Sequence, residues 1–215
     1  TTLSAAEGGV SLVDYNRAGV PLMELVTEPV IHTSEQAGIF AKELQLLLRY
    51  IGAGEANMEK GEMRVEANIS VAHEPQGPSL DRGSSRTVLK LGTKVEVKNL
   101  NSFRSVERAI AYETKRQIEL LERGGVVAQE TRGWDEAGQK TFSQRKKESS
   151  HDYRYFPDPD LPSLRISEIP EFSLDVLRRD MPELPAARRT RYAEFGLKAD
   201  DADMFVRDPL YGNFF

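Results

Sequence analysis

Met63-Arg64-Val65-Glu66-Ala67-Asn68-Ile69-Ser70-Val71 alternates apolar and polar residues without a break, the period of a strand that buries one face only. Met63, Val65, Ala67, Ile69 and Val71 share the inward side, which leaves Arg64, Glu66, Asn68 and Ser70 on the outward one. Lys94-Val95-Glu96-Val97-Lys98 repeats the pattern, with Val95 and Val97 inward and Lys94, Glu96 and Lys98 outward. Both strands therefore present charges on the face they leave open. The segment between them, His73 to Gly92, is rich in Pro, Gly and Ser and reads as a mobile loop.

Helices flank this pair. Thr33 and Gln36 have capping-box spacing, and Ala37, Phe40, Leu44, Leu47, Leu48 and Ile51 recur at helical intervals until Gly52 and Gly54 end the run. A second helix starts near Ser102, carries Phe103, Val106, Ile110 and Leu121 inward, has a polar middle of Glu113, Lys115, Arg116 and Glu119, and stops at Gly124-Gly125. Further strands are expected at Leu12 to Arg17, Leu22 to Val26, Val127 to Thr131 and Thr141 to Arg145. Strands, helix, two strands, helix, two strands is the order of an α+β domain: a mainly antiparallel sheet with helices on one face and an open polar face. After about Pro157 short helical pieces follow, around Phe172 to Arg179 and Ala186 to Phe195.

The bulk properties are ordinary. Among 215 residues, 39% are hydrophobic and 29% charged, no apolar run approaches a membrane span, and there is no cysteine, which excludes disulfides and thiolate chemistry. A start on Thr1-Thr2-Leu3-Ser4 and an end on the aromatic pair Phe214-Phe215 lead us to expect an internal piece of a longer chain. The net charge of -5 argues against a general nucleic-acid binder. Arg145-Lys146-Lys147, Arg178-Arg179 and Arg188-Arg189 with Arg191 are local candidates for phosphate contacts, although such clusters are more often solvated faces.

For chemistry, an open face with Arg64, Glu66 and Asn68 beside Glu96 and Lys98 suits a metal ion and phosphate, since carboxylates are hard oxygen ligands and cations neutralise phosphoryl oxygens. Alternation equally fits a solvated face with cross-strand ion pairs. No phosphate-cradling Gly-Lys-Ser/Thr loop is present, and His32, His73 and His151 are scattered, which suggests neither a metal-histidine motif nor a histidine triad.

Specific runs carry more. Val13-Asp14-Tyr15-Asn16-Arg17-Ala18-Gly19-Val20-Pro21-Leu22-Met23-Glu24-Leu25 resembles the signature of the GatB/GatE family, the carboxylate-activating component of tRNA-dependent amidotransferases in its bacterial and archaeal forms. The likeness continues through Met58-Glu59-Lys60-Gly61-Glu62-Met63-Arg64, Glu66-Ala67-Asn68, Gly92-Thr93-Lys94, Glu96 and Lys98-Asn99-Leu100-Asn101-Ser102-Phe103. It resumes in Gln129-Glu130-Thr131-Arg132 and in Asp152-Tyr153-Arg154-Tyr155-Phe156-Pro157. The resemblance implies a cradle related to glutamine synthetase and guanidino kinases, with residues 1–160 as part of it and 161–215 as its C-terminal part and the start of a helical region. It implies a carbon–nitrogen ligase of protein biosynthesis. ATP, with Mg²⁺, phosphorylates the side-chain carboxylate of Glu on tRNA(Gln) or Asp on tRNA(Asn), and ammonia from a partner amidase displaces the phosphate. The implied partners are the amidase of the amidotransferase complex, its small third component and misacylated tRNA, in the cytoplasm or an organellar matrix and without a membrane.

Carried onto matching positions, the resemblance makes Glu59 and Glu66 candidate Mg²⁺ ligands, and Arg64 and Lys98 candidate phosphate partners. Asn68, Asn99 and Asn16 would orient substrate, Asp14 and Arg17 would brace the site, and Glu96 would join the last three in holding the nucleotide. Family members also carry a Gly-Leu-Glu-Val-His and a Glu-Glu-Asp segment that this sequence does not contain. A different reading makes the chain a tRNA-binding scaffold with catalysis elsewhere, and a third makes it the archaeal paralogue.

Overall fold

The computed structural model describes residues 2–4, 11–13, 15–16, 18–72, 91–146 and 160–214. Two units divide the chain, Thr1–Ile31 and His32–Phe215. In the first, β1 (Thr2–Ser4) pairs antiparallel with β2 (Ser11–Val13), Thr2 opposite Val13. The strand expected at Leu22 to Val26 does not form: residues 20–28 have no regular structure, and Leu22 is 94% exposed. An apolar run becomes a strand only where a neighbouring edge takes its hydrogen bonds, and among the described residues β1 and β2 pair only with each other.

The second unit begins with α1 (Ser34–Tyr50). The Thr33 hydroxyl accepts from the Gln36 amide, and the Gln36 side chain accepts in return from the His32 amide, one residue before the cap. The buried stripe is Ala37, Gly38, Ala41 and Leu46, so it is rotated from the expected one, and Phe40 and Ile51 are exposed. Small residues win because α1 lies close against α2 (Phe103–Glu122): a Cβ on Gly38 would stand 1.9 Å from a Glu107 carboxylate oxygen.

Four strands form the main sheet in sequence order: β3 (Val65–Ile69), β4 (Val95–Leu100), β5 (Glu130–Asp135) and β6 (Lys140–Lys146). The α+β class holds, but the sheet is mixed. β3–β4 and β5–β6 are antiparallel, whereas β4–β5 is parallel, because α2 occupies the β4-to-β5 connection and returns the chain to the same end, as parallel neighbours require. α2 is the helix laid on the sheet, against β3, β4 and β6, while α1 packs on α2. The segment joining β3 to β4 lies outside the described residues at positions 73–90, as does the Asp152 to Pro157 run.

The inward face of α2 differs from the expected apolar one. Buried there are Ser105, Val106, Ala109, Glu113 and Gln117, which recur about every four residues along one stripe. Beyond the sheet, α3 (Leu174–Asp180) and α4 (Pro185–Glu194) fall close to the expected helical pieces, and α5 (Ala199–Arg207) and α6 (Pro209–Phe214) follow. α4 and α5 close a small core of Tyr192, Ala202 and Val206 around Leu46 of α1. No helix among the described residues is long and apolar enough to cross a membrane.

Candidate active site on the open sheet face

Val95, Val97 and Ile69 are buried on the α2 side, and their strand neighbours emerge on the other. Asn68 lies opposite Glu96. Thr131 lies beside Glu96 across the parallel pair, and Gly133 beside Lys98. Three strands thus feed one row. The Thr131 hydroxyl donates to Glu96 Oε2 at 2.7 Å, Glu96 Oε1 is 3.7 Å from Lys98 Nζ, and Lys98 Nζ is 3.3 Å from Glu66 Oε1. Lys98 and Glu66 are 39% and 46% exposed, Glu96 only 14%. Ion pairs this exposed contribute about 0–1 kcal/mol each to stability, so folding alone is a weak reason for the row.

A backbone irregularity sets its register. Val65 pairs with Leu100 and Ala67 with Val97, which leaves Glu66 facing both Lys98 and Asn99. This is a β-bulge, and its extra residue, Asn99, sits at φ 65°. Asn tolerates that left-handed conformation better than most residues. The bulge resets the alternation: Asn99 is exposed where a regular strand would turn it inward, and Leu100 is buried in its place. Asn101 and Ser102 then lead into α2, whose first turn is capped by Ser102 Oγ accepting from the Ser105 amide at 3.0 Å.

The opposite face of β5 is pinned by buried charges. Glu113 is fully buried and accepts from Arg116 at 2.6 and 2.9 Å, from Gln117 Nε2 at 2.9 Å and from Thr141 Oγ1 at 3.0 Å, with Arg132 Nε 3.5 Å away. Arg132 donates to Thr141 Oγ1 at 2.8 Å and to Glu130 at 2.6 Å, and Ser143 donates to the same carboxylate. Burial pushes the Glu130 carboxyl up, but hydrogen bonds from Ser143 and Arg132 and the Arg132 charge outweigh it and hold the group below its ordinary value. The Arg116 guanidinium is raised, chiefly by its hydrogen bonds to Glu113 against an opposing burial effect.

The sequence-derived candidates divide accordingly. Glu66, Asn68, Glu96, Lys98 and Asn99 are brought to adjoining positions on β3 and β4, and Arg64 is exposed one residue before β3. Glu59 is exposed in the turn before β3, where Asn57 Oδ1 accepts from the Lys60 amide and Glu62 from the Asn57 amide. Among the described residues no group of three His, Asp or Glu is close enough to hold a metal ion, so Glu59, Glu66 and Glu96 do not form a ready-made ligand set. Asn16 is exposed in a turn of the first unit, and Asp14 and Arg17, like His73 and His151, lie outside the described residues. Thr131 does not stand out in the sequence, although it lies inside the Gln129-Glu130-Thr131-Arg132 run.

The basic clusters are largely spoken for. Arg189 spans Glu43 at 2.7 and 2.9 Å and Asp203 at 2.9 Å, Arg188 and Arg191 both engage Glu183, and Arg179 pairs with Asp180 at 2.8 Å. The Arg189 guanidinium is raised by its Glu43 hydrogen bonds, and Glu183 is lowered by Arg191. The side chains of Arg145, Lys146 and Lys147 lie outside the described residues.

Comparison with known proteins places these features in context. Residues 1–170 match the family described as the GatB/GatE catalytic domain. The chain is 49% identical over 199 residues to the B subunit of the aspartyl/glutamyl-tRNA(Asn/Gln) amidotransferase of Crocosphaera subtropica, covering 92% of this chain and 37% of that protein. The corresponding proteins of Caldicellulosiruptor saccharolyticus and Brevibacillus brevis are 48% and 46% identical, covering 95% and 97% of this chain and 40% and 41% of theirs. The chain therefore spans about two fifths of the length of these relatives.

Proposed function

The chain belongs to the GatB/GatE catalytic domain family, and from that premise we propose that the open face of its β3–β4–β5 sheet takes part in ATP-dependent phosphorylation of the side-chain carboxylate of Glu-tRNA(Gln) or Asp-tRNA(Asn), before an amidase partner supplies ammonia. The observation that carries this reading is the row Thr131–Glu96–Lys98–Glu66. Its two carboxylates against one ammonium leave a formal charge of minus one beside a part-exposed cation, held by an exposed pair with Glu66 and a longer one, at 3.7 Å, with Glu96. Such an ammonium is released toward phosphoryl oxygens at little cost, because the pairs it leaves are weak.

Mg²⁺ fits the donor chemistry of this face. It is commonly held by one or two carboxylates together with substrate phosphates and water, and Glu66 and Glu96 supply hard oxygen donors of that kind, with Glu59 a further candidate. When bound, the ion would neutralise phosphate charge. Lys98 and Arg64 would bind phosphoryl oxygens, and Asn68 and Asn99 would orient the carboxylate to be activated. Asn16, Asp14 and Arg17 are kept as candidates for holding the nucleotide on the family resemblance alone. A carboxylate needs this activation because oxide is a very poor leaving group, whereas phosphate leaves readily.

The scaffold reading is weakened by the fate of the arginines: Arg188, Arg189 and Arg191 are committed to carboxylates of the same chain. The decisive experiment is Lys98→Ala in the full-length protein assembled with its amidase partner. ADP formation stimulated by misacylated tRNA should fall at least tenfold, with near-native circular dichroism, since an exposed truncation usually changes stability by only about 0.5 kcal/mol. Undiminished ADP formation would remove this face from the reaction.

A further inference from the structure

Glu96 is held at both oxygens by residues of different strands, and the hold from β5 comes from Thr131 at 2.7 Å. We infer that Thr131 is a positioning residue whose hydroxyl fixes the Glu96 carboxylate so that its other oxygen faces Lys98, an inference that rests on the proposed role of this face.

Three observations support it. Thr131 is itself buried, so its hydroxyl has little access to water, and Glu96 Oε2 is the acceptor it reaches. Glu96 is the least exposed member of the row, whereas Lys98 and Glu66 stand well into solvent. A glutamate side chain left to itself has several rotamers, and a donor on the neighbouring strand selects one. Finally, β5 keeps its own alternation at this point, because the extra residue at the β5–β6 register shift is Gln144 of β6, and consecutive residues therefore serve opposite faces: Arg132 the buried network, Thr131 the open row.

The hydroxyl acts through a charged acceptor, and hydrogen bonds of that kind are the stronger class. Thr131→Val keeps shape and β-branching while deleting the donor, and Thr131→Ser keeps the donor. In the full-length protein, binding of Mg²⁺ with a non-hydrolysable ATP analogue is read by calorimetry alongside the rate of ADP formation with ATP. Thr131→Val should weaken binding or slow the rate by about tenfold, and Thr131→Ser should stay within about threefold of the parent. In a Glu96→Ala background, Thr131→Val should add nothing, because its only route to the site is gone. Parent-like behaviour of Thr131→Val, or losses that multiply in the double variant, would overturn the inference, the latter by exposing a merely structural role. If Val is not accepted in the fold, Thr131→Ala carries the same comparison. Parent-like binding and rate in Glu96→Ala and Lys98→Ala alike would instead sink the reading of the face itself.

Discussion

Replacing Glu113 by Gln tests the buried half of the sheet. The substitution keeps size and removes one negative charge at a fully buried position where Arg116, Gln117 and Thr141 all donate. An amide has one oxygen, so its NH₂ must face donors on one side. Turned toward Arg116 Nη2 and Gln117 Nε2 it would oppose two donors. Turned toward Arg116 Nε and Thr141 Oγ1 it opposes one hydrogen-bond donor, with Arg132 Nε further off at 3.5 Å, because the Thr141 hydroxyl, which already accepts from Arg132, can accept a second bond, and this orientation should be adopted. The loss is then one charge-assisted hydrogen bond, about 1.5–3 kcal/mol, plus part of the roughly 3–5 kcal/mol that follows when a buried ion pair loses one partner. Arg116 retains some solvent access, with 24% of its side chain exposed, which reduces the second contribution, and about 3 kcal/mol is expected overall. By hydrogen exchange in the full-length protein, β4 and β5 amides that open only with the whole domain should exchange about 10²-fold faster. A change under about threefold would refute the idea that Glu113 holds α2 to the sheet electrostatically.

Substitutions at two further positions follow from the same geometry. The folded Glu130 carboxyl lies below the ordinary value of 4.5, so its ionised form contributes stability above about pH 4.5 that is lost as pH falls through the folded value; Glu130→Gln should remove that acid-sensitive component, and equal slopes of stability against pH for both proteins below 4.5 would refute it. Asn99 occupies φ 65°, so Asn99→Gly should fold normally while Asn99→Val costs about 1–3 kcal/mol; if Asn99→Gly also loses ADP formation, the amide itself serves the substrate, and unchanged activity would limit Asn99 to the bulge.

How far the fold could be read ahead depended on whether a residue's fate was local. The alternation of Met63 to Val71 and of Lys94 to Lys98 located β3 and β4 and the face their charges occupy, because a strand's two sides are determined by its own period. Thr33 located the start of α1 for the same reason: a cap acts within one turn. Partnership was not local. Nothing in the spacing told that β4 and β5 would run parallel, nor that Leu22 to Val26 would stay unpaired. The inward stripe of α2 misled in an instructive way. Val106 is buried as expected, yet Glu113 and Gln117, within the polar middle, are buried too: Glu113 meets Thr141 and Arg132 from the sheet as well as Arg116 one turn on, and Gln117 donates to the Ile69 carbonyl; a charge goes inside only where its partners wait, and the partners on the sheet are distant in sequence. The same distance hid Thr131, whose value lies in reaching Glu96 across 35 positions of chain.

The two faces of β5 are coupled through its backbone. Arg132 reaches Glu113, Glu130 and Thr141 beneath the sheet, and the preceding residue reaches Glu96 above it. Buried, hydrogen-bonded charges resist displacement far more than exposed ones, since any shift leaves a charge uncompensated in a poorly solvated place. The open row has no such stiffness of its own: Lys98 and Glu66 are long, exposed side chains in weak pairs. Its geometry is therefore steadied from the closed face, through the regular alternation of Thr131 and Arg132 along β5, and by the Asn99 bulge of β4. On this view the buried charges of α2 and β5 matter to the site without touching substrate. Phosphoryl transfer depends mainly on placing charge where it will be needed, and if the open face carries the proposed reaction, that placement is anchored from the opposite side of the sheet.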